Sequence, residues 1–239
     1  MEPEKETGDA GIITIDGPAG AGKSTVGRML ARKLNYTYLD TGAMYRAAAL
    51  RAQKEGIHPD DEVGLEALCR RLEICFQESR EGQRVICQGE DVTEKIRDPE
   101  IGWIASTVSL KRPVREALVH LQRKIGSRGR VVAEGRDTGT VVFPRAKYKF
   151  FLDAAPGERA RRRYVELSAK GLAVTSEEIE RELRERDAQD SSRQLAPLRP
   201  AKDARIIDST GLTPEAVMER MLRVIEQGAH SGKRVSGQE

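Results

Sequence analysis

The strongest constraint on this chain is a glycine-rich segment between an apolar run and a helical pattern. Residues 17–24 read Gly-Pro-Ala-Gly-Ala-Gly-Lys-Ser and satisfy the pattern G-x-x-x-x-G-K-[ST]. They follow the apolar segment IITID at 12–16, and apolar residues at helical spacing begin after Lys23. A strand, a glycine-rich turn and a helix in this order predict a phosphate-binding loop in an α/β fold.

The residue types in this segment suit a polyphosphate ligand. Its glycines allow peptide N–H groups to face a phosphate, and the start of the following helix adds a positive dipole. Lys23 can bridge the β- and γ-phosphates, and the hydroxyl of Ser24 can ligate Mg²⁺. We therefore predict that the chain binds a nucleoside triphosphate. The predicted site comprises Gly17, Pro18, Ala19, Gly20, Ala21, Gly22, Lys23, Ser24 and Thr25.

Short apolar segments alternate with helical patterns along the rest of the chain, which favours a parallel sheet flanked by helices. The clearest predicted strands are Ile12–Asp16, Thr37–Leu39, Val131–Ala133, Tyr148–Leu152 and Arg205–Ile207. Helices are predicted to begin near Lys23, at Pro113, at the capping box of Thr175 and Glu178, and at Thr213–Pro214, and the last to end at Gly228.

One stretch departs from this alternation. Residues 73–94 contain short strands separated by turns at Gly82 and Gly89, which indicates a small antiparallel element. It lies in a predicted insertion that spans about 42–110. Insertions at the carboxyl edge of a parallel sheet commonly shape the ligand site.

Length and composition restrict the class of protein. A chain of 239 residues favours a single domain, placed here at 11–227 with flexible tails at 1–10 and 228–239. The net charge of +3, from 41 basic and 38 acidic residues, argues against a nucleic-acid-binding surface. No apolar run approaches the roughly 18 residues of a membrane span, and the polar N-terminus predicts no secretory signal. We expect a cytoplasmic protein without a membrane or nucleic-acid partner.

Other chemistry-bearing residues give weaker signals. Cys69, Cys75 and Cys87 form no CxxC pair and are predicted to be buried thiols. The three histidines, His58, His120 and His230, are scattered and are interpreted as surface residues. The segment 208–211 fits D-x-x-G, but it follows the last strand and no N-K-x-D occurs, so a switch GTPase is not predicted.

Phosphoryl transfer to another phosphate needs charge neutralisation and positioning rather than a base. Arginines follow several predicted strands, where the ligand-binding edge of a parallel sheet lies. They are Arg46, Arg136, Arg159 with Arg161–Arg163, and Arg186 and Arg193, which with Asp190 are predicted to share one helix face.

Four motifs resemble those of bacterial cytidylate kinases. They are IDGPAGAGKST at 15–25, LDTGAMYR at 39–46, EGRDTGTVVFP at 134–144 and ERD…R…APL at 185–198. The resemblance covers about 11–227 and implies ATP-dependent phosphorylation of CMP and dCMP with Mg²⁺. It implies a P-loop kinase fold with a core at 11–41, 111–155 and 172–227, a CMP-binding insertion at 42–110 and a short lid at about 156–171.

The resemblance also implies roles for individual residues. Ser106, Arg115 and Asp137 correspond to base-reading positions, and Arg46 and Arg136 to positions that hold the acceptor phosphate. Arg186 and Asp190 would contact the sugar, and Arg193 would approach the transferring phosphoryl group. Thr41 stands where many relatives have Ser and keeps the hydroxyl, and Glu134 stands where some have Asp, near Mg²⁺. Among the lid residues, Arg159 and Arg163 are expected to contact ATP.

The chemistry of cytosine supports one of these roles independently. Cytosine presents an N4 amino donor where uracil presents an O4 acceptor, so a carboxylate in the acceptor pocket favours cytosine. Asp137 fits this role, and Arg115 could donate to O2 or N3. We expect a monomer with small-molecule substrates.

Two alternatives remain open from the sequence. The first is a kinase of the same fold that acts on another nucleotide or a metabolite hydroxyl. The second is an ATPase whose hydrolysis drives a partner or nucleic acid. Turnover measured with a panel of acceptors distinguishes the first alternative from a cytidylate kinase. ATP hydrolysis without a phosphorylated acceptor would identify the second.

Overall fold

The computed structural model describes residues 11–79 and 82–231, with the side chains of 229–231 excepted. The predicted tail at 1–10 and residues 232–239 lie outside the described residues. The described chain divides into two compact units. Unit 1 comprises the described parts of Met1–Tyr38, Gly129–Ser192 and Ala196–Glu239, and unit 2 comprises Leu39–Arg128 with Arg193–Leu195.

Unit 1 is built on a five-stranded parallel sheet, as predicted. The strands are β1 (Ile12–Asp16), β2 (Thr37–Asp40), β6 (Val131–Gly135), β7 (Tyr148–Asp153) and β8 (Arg205–Asp208), in the spatial order β2-β6-β1-β7-β8. Of β2, Thr37 and Tyr38 are assigned to unit 1 and Leu39 and Asp40 to unit 2. All five residues of β1 and of β6 are buried. Because β1 is covered by strands on both sides and by helices, its sequence is apolar up to the terminal Asp16.

Helices α1 (Lys23–Leu34), α6 (Pro156–Ala169), α7 (Ser176–Ser192) and α8 (Pro214–Ser231) belong to this unit. A π-helical turn at Thr138–Val142 follows β6. The predicted capping box before α7 is confirmed, since Glu178 N donates to Thr175 Oγ1 at 3.2 Å and Thr175 N donates to Glu178 Oε2 at 2.9 Å. Val26 and Leu30 of α1 pack in one buried cluster with Ile13 and Phe150 of the sheet.

Unit 2 contains the predicted insertion and helices around it. Its elements are α2 (Thr41–Lys54), α3 (Glu62–Arg70), β3 (Ile74–Ser79), β4 (Gly82–Cys87), β5 (Glu90–Asp91), α4 (Pro99–Val108) and α5 (Arg112–Gly126), with a short 3₁₀ turn at Lys95–Arg97. The strands form an antiparallel sheet in the order β3-β4-β5, so the predicted antiparallel element is confirmed. Residues 80–81 of the predicted Gly82 turn lie outside the described residues, and Gly89 provides the next turn with φ of 79°.

Three local predictions are wrong. Gly228 does not end the last helix, because α8 continues to Ser231; a Cβ at 228 would lie 2.9 Å from Tyr148, so this glycine serves close packing. Cys75 is exposed, whereas Cys69 and Cys87 are buried as expected. Arg193 is not on the helix face of Arg186, because α7 ends at Ser192.

Candidate active site

The P-loop follows β1 directly and depends on its glycines. Gly17 has φ of 148°, and a Cβ there would lie 2.0 Å from the carbonyl oxygen of Leu152 on β7. Gly22 adopts φ of 93° as the N-cap of α1. A glycine cap has no side chain to satisfy the first N–H groups of the helix, so these groups suit an anionic ligand.

Side chains hold the carbonyl oxygens of the P-loop. Arg159 Nη1 donates to Ala19 O at 3.0 Å, and Ser209 Oγ donates to Ala21 O at 3.1 Å. Arg162 Nη1 reaches the same Ala21 oxygen at 3.4 Å. The C=O of a trans peptide points opposite to the N–H of the next residue. These contacts therefore fix the direction of the N–H groups that follow Ala19 and Ala21.

Ser209 was missed as a functional residue by sequence reasoning. It lies in the segment 208–211, which connects β8 to α8 as predicted. Its side chain is buried, and its hydroxyl also lies 3.0 Å from Asp153 O. Arg162 Nη2 donates to the Ser209 carbonyl at 2.7 Å. The turn therefore does more than connect two elements, because it braces the P-loop.

Lys23 is buried, and charges of both signs surround it. Its Nζ donates to Pro18 O at 2.6 Å. Burial, together with the positive charges of Arg136 and Arg186, lowers the pKa of Lys23 to about 7, while Glu134 and Asp16 oppose the shift. The structure thus brings together three of the predicted cations in unit 1. A polyphosphate bound here would add negative charge beside these three cations.

The turn after β6 carries two further predicted site residues. Arg136 Nε donates to Asp190 Oδ2 at 2.8 Å, which fixes one edge of the guanidinium. A guanidinium has five N–H groups; this bond uses one, and Arg136 Nη1 donates another to Gly135 O at 3.4 Å. Asp137 is buried and occupies the N-cap position of the π-helical turn at Thr138–Val142, without a capping bond from its side chain. Arg136, Asp190 and Arg186 are therefore assembled by β6 and α7 within one unit.

Asp16 is a second residue that sequence reasoning missed. It ends β1, is buried, and accepts bonds from Thr138 N, Thr138 Oγ1 and Gly139 N. Burial raises the pKa of Asp16, partly offset by these three hydrogen bonds. A carboxylate at the end of an apolar strand was the available sequence signal, since a buried charge needs partners.

Glu134 is buried on β6 and contacts the Tyr38 hydroxyl. The Tyr38 ring in turn lies under Arg28 of α1, with 5.6 Å between the guanidinium carbon and the ring centre. The carboxylate of Glu134 thus has a protein partner on β2 as well as an electrostatic effect on Lys23.

Unit 2 positions the remaining predicted acceptor residues by itself. Thr41 is buried at the first position of α2, and Arg46 of the same helix pairs with Asp40 at 3.2 Å. Arg115 is buried on α5, where Nη1 donates to Ser109 O at 3.2 Å and the guanidinium lies 5.6 Å from the Tyr45 ring centre.

Ser106 is half-buried on α4, and its carbonyl accepts from Ser109 Oγ at 2.7 Å. Arg193 is half-buried just beyond the end of α7. The backbone turns into the left-handed region at Ala196, where φ is 53°. Arg193 itself lies one residue beyond the helix that carries Arg186 and Asp190.

The two arginines of α6 predicted to contact ATP differ in environment. Arg159 is buried, with Nε donating to Ala154 O at 3.1 Å and Nη1 paired with Asp187. Arg163 is half-buried and pairs with Glu166 at 2.9 Å. Arg159 therefore acts on the P-loop backbone in this structure.

The donor set at the P-loop fits a magnesium ion bound with a nucleotide. The half-buried Ser24 begins the helix beside Lys23 and offers a hydroxyl. Among the described residues, no cluster of three or more His, Cys, Asp or Glu could hold a metal by itself. Mg²⁺ characteristically uses one or two protein oxygens and completes its octahedron with phosphates and water.

Comparison with known proteins decides the family. Residues 13–227 match the family model described as cytidylate kinase. The chain belongs to the cytidylate kinase family. A cytidylate kinase from Citrifermentans bemidjiense is 52% identical over 221 residues, covering 92% of this chain and 95% of the relative. A cytidylate kinase from Enterococcus faecalis is 48% identical over 215 residues, covering 90% and 95%.

A solved structure supports the fold alone. An uncharacterized protein from Eubacterium ventriosum has a TM-score of 0.50 and 10% sequence identity, with coverage of 90% of this chain and 98% of that chain. The family assignment and the parallel sheet agree with the fold predicted from the sequence. Across 11–79 and 82–231, no helix is both long and apolar enough to cross a membrane.

Proposed function

We propose that this chain transfers the γ-phosphoryl group of ATP to CMP and dCMP, with release of ADP and the corresponding diphosphate. Membership of the cytidylate kinase family over 13–227 supports the nucleotide monophosphate kinase activity. The observation that carries the chemistry is the buried Lys23 of the P-loop, whose Nζ donates to Pro18 O and whose pKa is lowered in part by the charges of Arg136 and Arg186. One buried and two half-buried cations can offset the repulsion between two polyanions, which is the main obstacle to this reaction.

The transfer needs no protein base. An oxygen of the acceptor phosphate forms the new bond to the γ-phosphorus, while the bond from that phosphorus to the β-γ bridging oxygen breaks. The electron pair of the broken bond stays on the β-phosphate of ADP. Lys23 would exchange its bond to Pro18 O for phosphate oxygens, and the N–H groups of the P-loop would bind the β-phosphate. Mg²⁺, when bound, would neutralise charge on the β- and γ-phosphates and would be held by Ser24.

The roles that family membership implies in acceptor recognition are proposed here residue by residue. Arg46 and Arg136 would bind its phosphate, Arg186 and Asp190 its sugar, and Arg193 the transferring group. Ser106, Arg115 and Asp137 would read the base, with Thr41 supporting the pocket. A carboxylate at Asp137 accepts from the cytosine N4 amine and repels the O4 carbonyl of uracil.

The donor side includes two arginines in different roles. Arg163 would reach the phosphates of ATP. Arg159 would contribute through the Ala19 carbonyl, because its guanidinium already contacts the loop. We also propose a monomeric, cytoplasmic enzyme that requires Mg²⁺. Light scattering coupled to size-exclusion chromatography tests the monomer, and activity after chelation tests the ion.

A coupled assay of ADP release with CMP, dCMP, UMP and AMP tests the activity. CMP and dCMP should each accelerate ADP release far above the rate with ATP alone, and UMP and AMP should do so weakly. Rapid ADP release without any acceptor would identify an ATPase instead. A better rate with UMP or AMP would identify a kinase of another nucleotide.

A further inference from the structure

Asp16 is the charged residue at the end of the apolar strand β1. We infer that it is a positioning residue for the acceptor nucleotide, because its buried carboxylate holds the turn that carries Arg136 and Asp137. The inference rests on the proposed function of those two residues. Asp16 itself is not expected to touch either substrate.

The contacts of the carboxylate define this role. Oδ1 accepts from Thr138 N at 2.8 Å and from Thr138 Oγ1 at 2.7 Å, and Oδ2 accepts from Gly139 N at 2.7 Å. The Thr138 N–H belongs to the peptide that joins it to Asp137. The bond from this N–H therefore fixes the peptide plane beside the base-reading residue. The Asp16 carboxylate therefore sets the direction of the backbone at this turn. The direction of the backbone in turn determines where the Asp137 side chain can lie.

Because Asp16 is buried, its carboxylate depends on hydrogen bonds from the turn. Asp16 is 3% exposed, so its charge has lost water and depends on these donors. Hydrogen bonds to a charged group are stronger than neutral ones, and the loss of one leaves a buried oxygen short of a partner. These bonds therefore hold the turn against the end of β1.

Close packing holds the turn from the same side. A Cβ at Gly139 would lie 2.8 Å from Thr14 Oγ1 and 3.3 Å from Asp16 Oδ2. The turn therefore sits directly on the strand at the position of Asp16. Thr14 lies two residues before Asp16 on the same face of β1, and its buried hydroxyl has no hydrogen-bond partner among the described residues.

This geometry predicts a split between the two substrates. The Asp16 side chain contacts the turn after β6, while the P-loop carbonyls are held by Arg159, Arg162 and Ser209. Loosening the turn should affect binding of CMP and discrimination against UMP. It should affect the KM for ATP much less, because the P-loop keeps its own supports.

The test measures kcat and KM for CMP, UMP and ATP in matched variants. Thr138→Val removes one donor to Asp16 and keeps the shape, Thr138→Ser restores the hydroxyl, and Asp16→Asn places an NH₂ where a second acceptor is needed. Thr213→Val is the control, since it removes a threonine hydroxyl that caps α8 and not one that packs against the turn after β6. A thermal unfolding curve is recorded for each variant.

We expect Thr138→Val to raise the KM for CMP about fivefold and to lower the CMP-to-UMP ratio of kcat/KM by a similar factor, with the KM for ATP changed less than about twofold. Asp16→Asn should change the KM for CMP and the CMP-to-UMP ratio further, each by about twentyfold. Thr138→Ser should restore the wild-type values, and Thr213→Val should keep them. If Asp16→Asn does not fold, Thr138→Val with Thr138→Ser still decides the question.

Two results overturn the inference separately. A wild-type enzyme that does not phosphorylate CMP overturns the proposed function and this inference with it. A wild-type enzyme that does phosphorylate CMP, with Thr138→Val lowering only the unfolding temperature or raising the KM for ATP equally, overturns the inference alone. In that case Asp16 stabilises the folded protein and does not position the residues that bind the acceptor nucleotide.

Discussion

The P-loop and the turn after β6 lie in the same unit but are stabilised in opposite ways. In the P-loop, Arg159 and Ser209 hold carbonyl oxygens, so the backbone N–H groups remain for the ligand. In the turn after β6, Asp16 holds the N–H groups of Thr138 and Gly139, so the neighbouring side chains carry the recognition. A backbone site recognises any polyphosphate, whereas a side-chain site can distinguish one base from another.

The largest expected effect lies on the P-loop side of this comparison. Lys23→Ala should lower kcat at least a hundredfold, because it removes a preorganised cation from the transferring phosphoryl group. The fold should persist, since the Lys23 ammonium contacts a loop carbonyl rather than the apolar core. Steady-state kinetics with CMP and circular dichroism check this.

The control for Lys23→Ala is Lys33→Ala, which removes an exposed lysine from the same helix. Its kcat should equal that of the wild type. Near-normal turnover of a folded Lys23→Ala protein would show that the P-loop lysine is not needed for phosphoryl transfer.

The next effect belongs to the turn. Asp137→Asn keeps the size of the side chain, loses its charge and gains a donor for uracil O4. The CMP-to-UMP ratio of kcat/KM should fall about a hundredfold, as expected for one charge-assisted hydrogen bond and the groups it leaves imperfectly paired. Measurement of both acceptors with wild type and variant checks this.

A competing explanation gives a different pattern for Asp137→Asn. If Asp137 only orients Arg136, the damage is to phosphate binding, and the rates with both pyrimidines should fall together. An unchanged ratio would reject Asp137 as the base-reading residue.

The pH dependence of ATP binding tests the P-loop separately from the turn after β6. The pKa of Lys23 is lowered to about 7, and phosphate bound beside it favours the charged form. Binding therefore takes up a proton above pH 7, and ATP affinity should fall about fivefold between pH 7 and pH 8. Titration calorimetry in two buffers with different ionisation enthalpies measures the proton uptake. Affinity that rises over this interval would contradict the sign.

The smallest expected effect concerns the brace of the P-loop. Ser209→Ala removes a neutral hydrogen bond to Ala21 O and should raise the KM for ATP about threefold, with the KM for CMP unchanged. Thr213→Ala is the matched control. Thr213 caps α8 through Ala216 N at 3.2 Å, so its loss should cost about 1 kcal/mol of stability without changing either KM. Equal changes in both KM values for Ser209→Ala would contradict a role confined to the P-loop.

The sequence predicts those parts of the molecule whose signal is local. Each of the five strands was placed to within about two residues, because a buried parallel strand is a short apolar run bounded by turns. The P-loop was identified for the same reason, since its residues are contiguous. The antiparallel element of unit 2 also follows from adjacent strands and glycine turns.

Tertiary partners distant in the chain were not predictable. Thr138 is 122 positions from Asp16, and Ser209 is 188 positions from Ala21. Nothing within either local segment indicates the other. The prediction that Gly228 ends the last helix is wrong for a related reason. The Tyr148 ring that requires a glycine there belongs to a strand far earlier in the chain.

A competition assay tests the central claim, that side chains choose the acceptor while the P-loop accepts the donor. Equimolar CMP, dCMP, UMP and AMP are incubated with γ-labelled ATP and limiting enzyme, and the labelled products are separated at low conversion. The label should appear first in CDP and dCDP, with at least tenfold less in UDP and ADP. Label found mainly in UDP or ADP, or released as inorganic phosphate, would contradict the account.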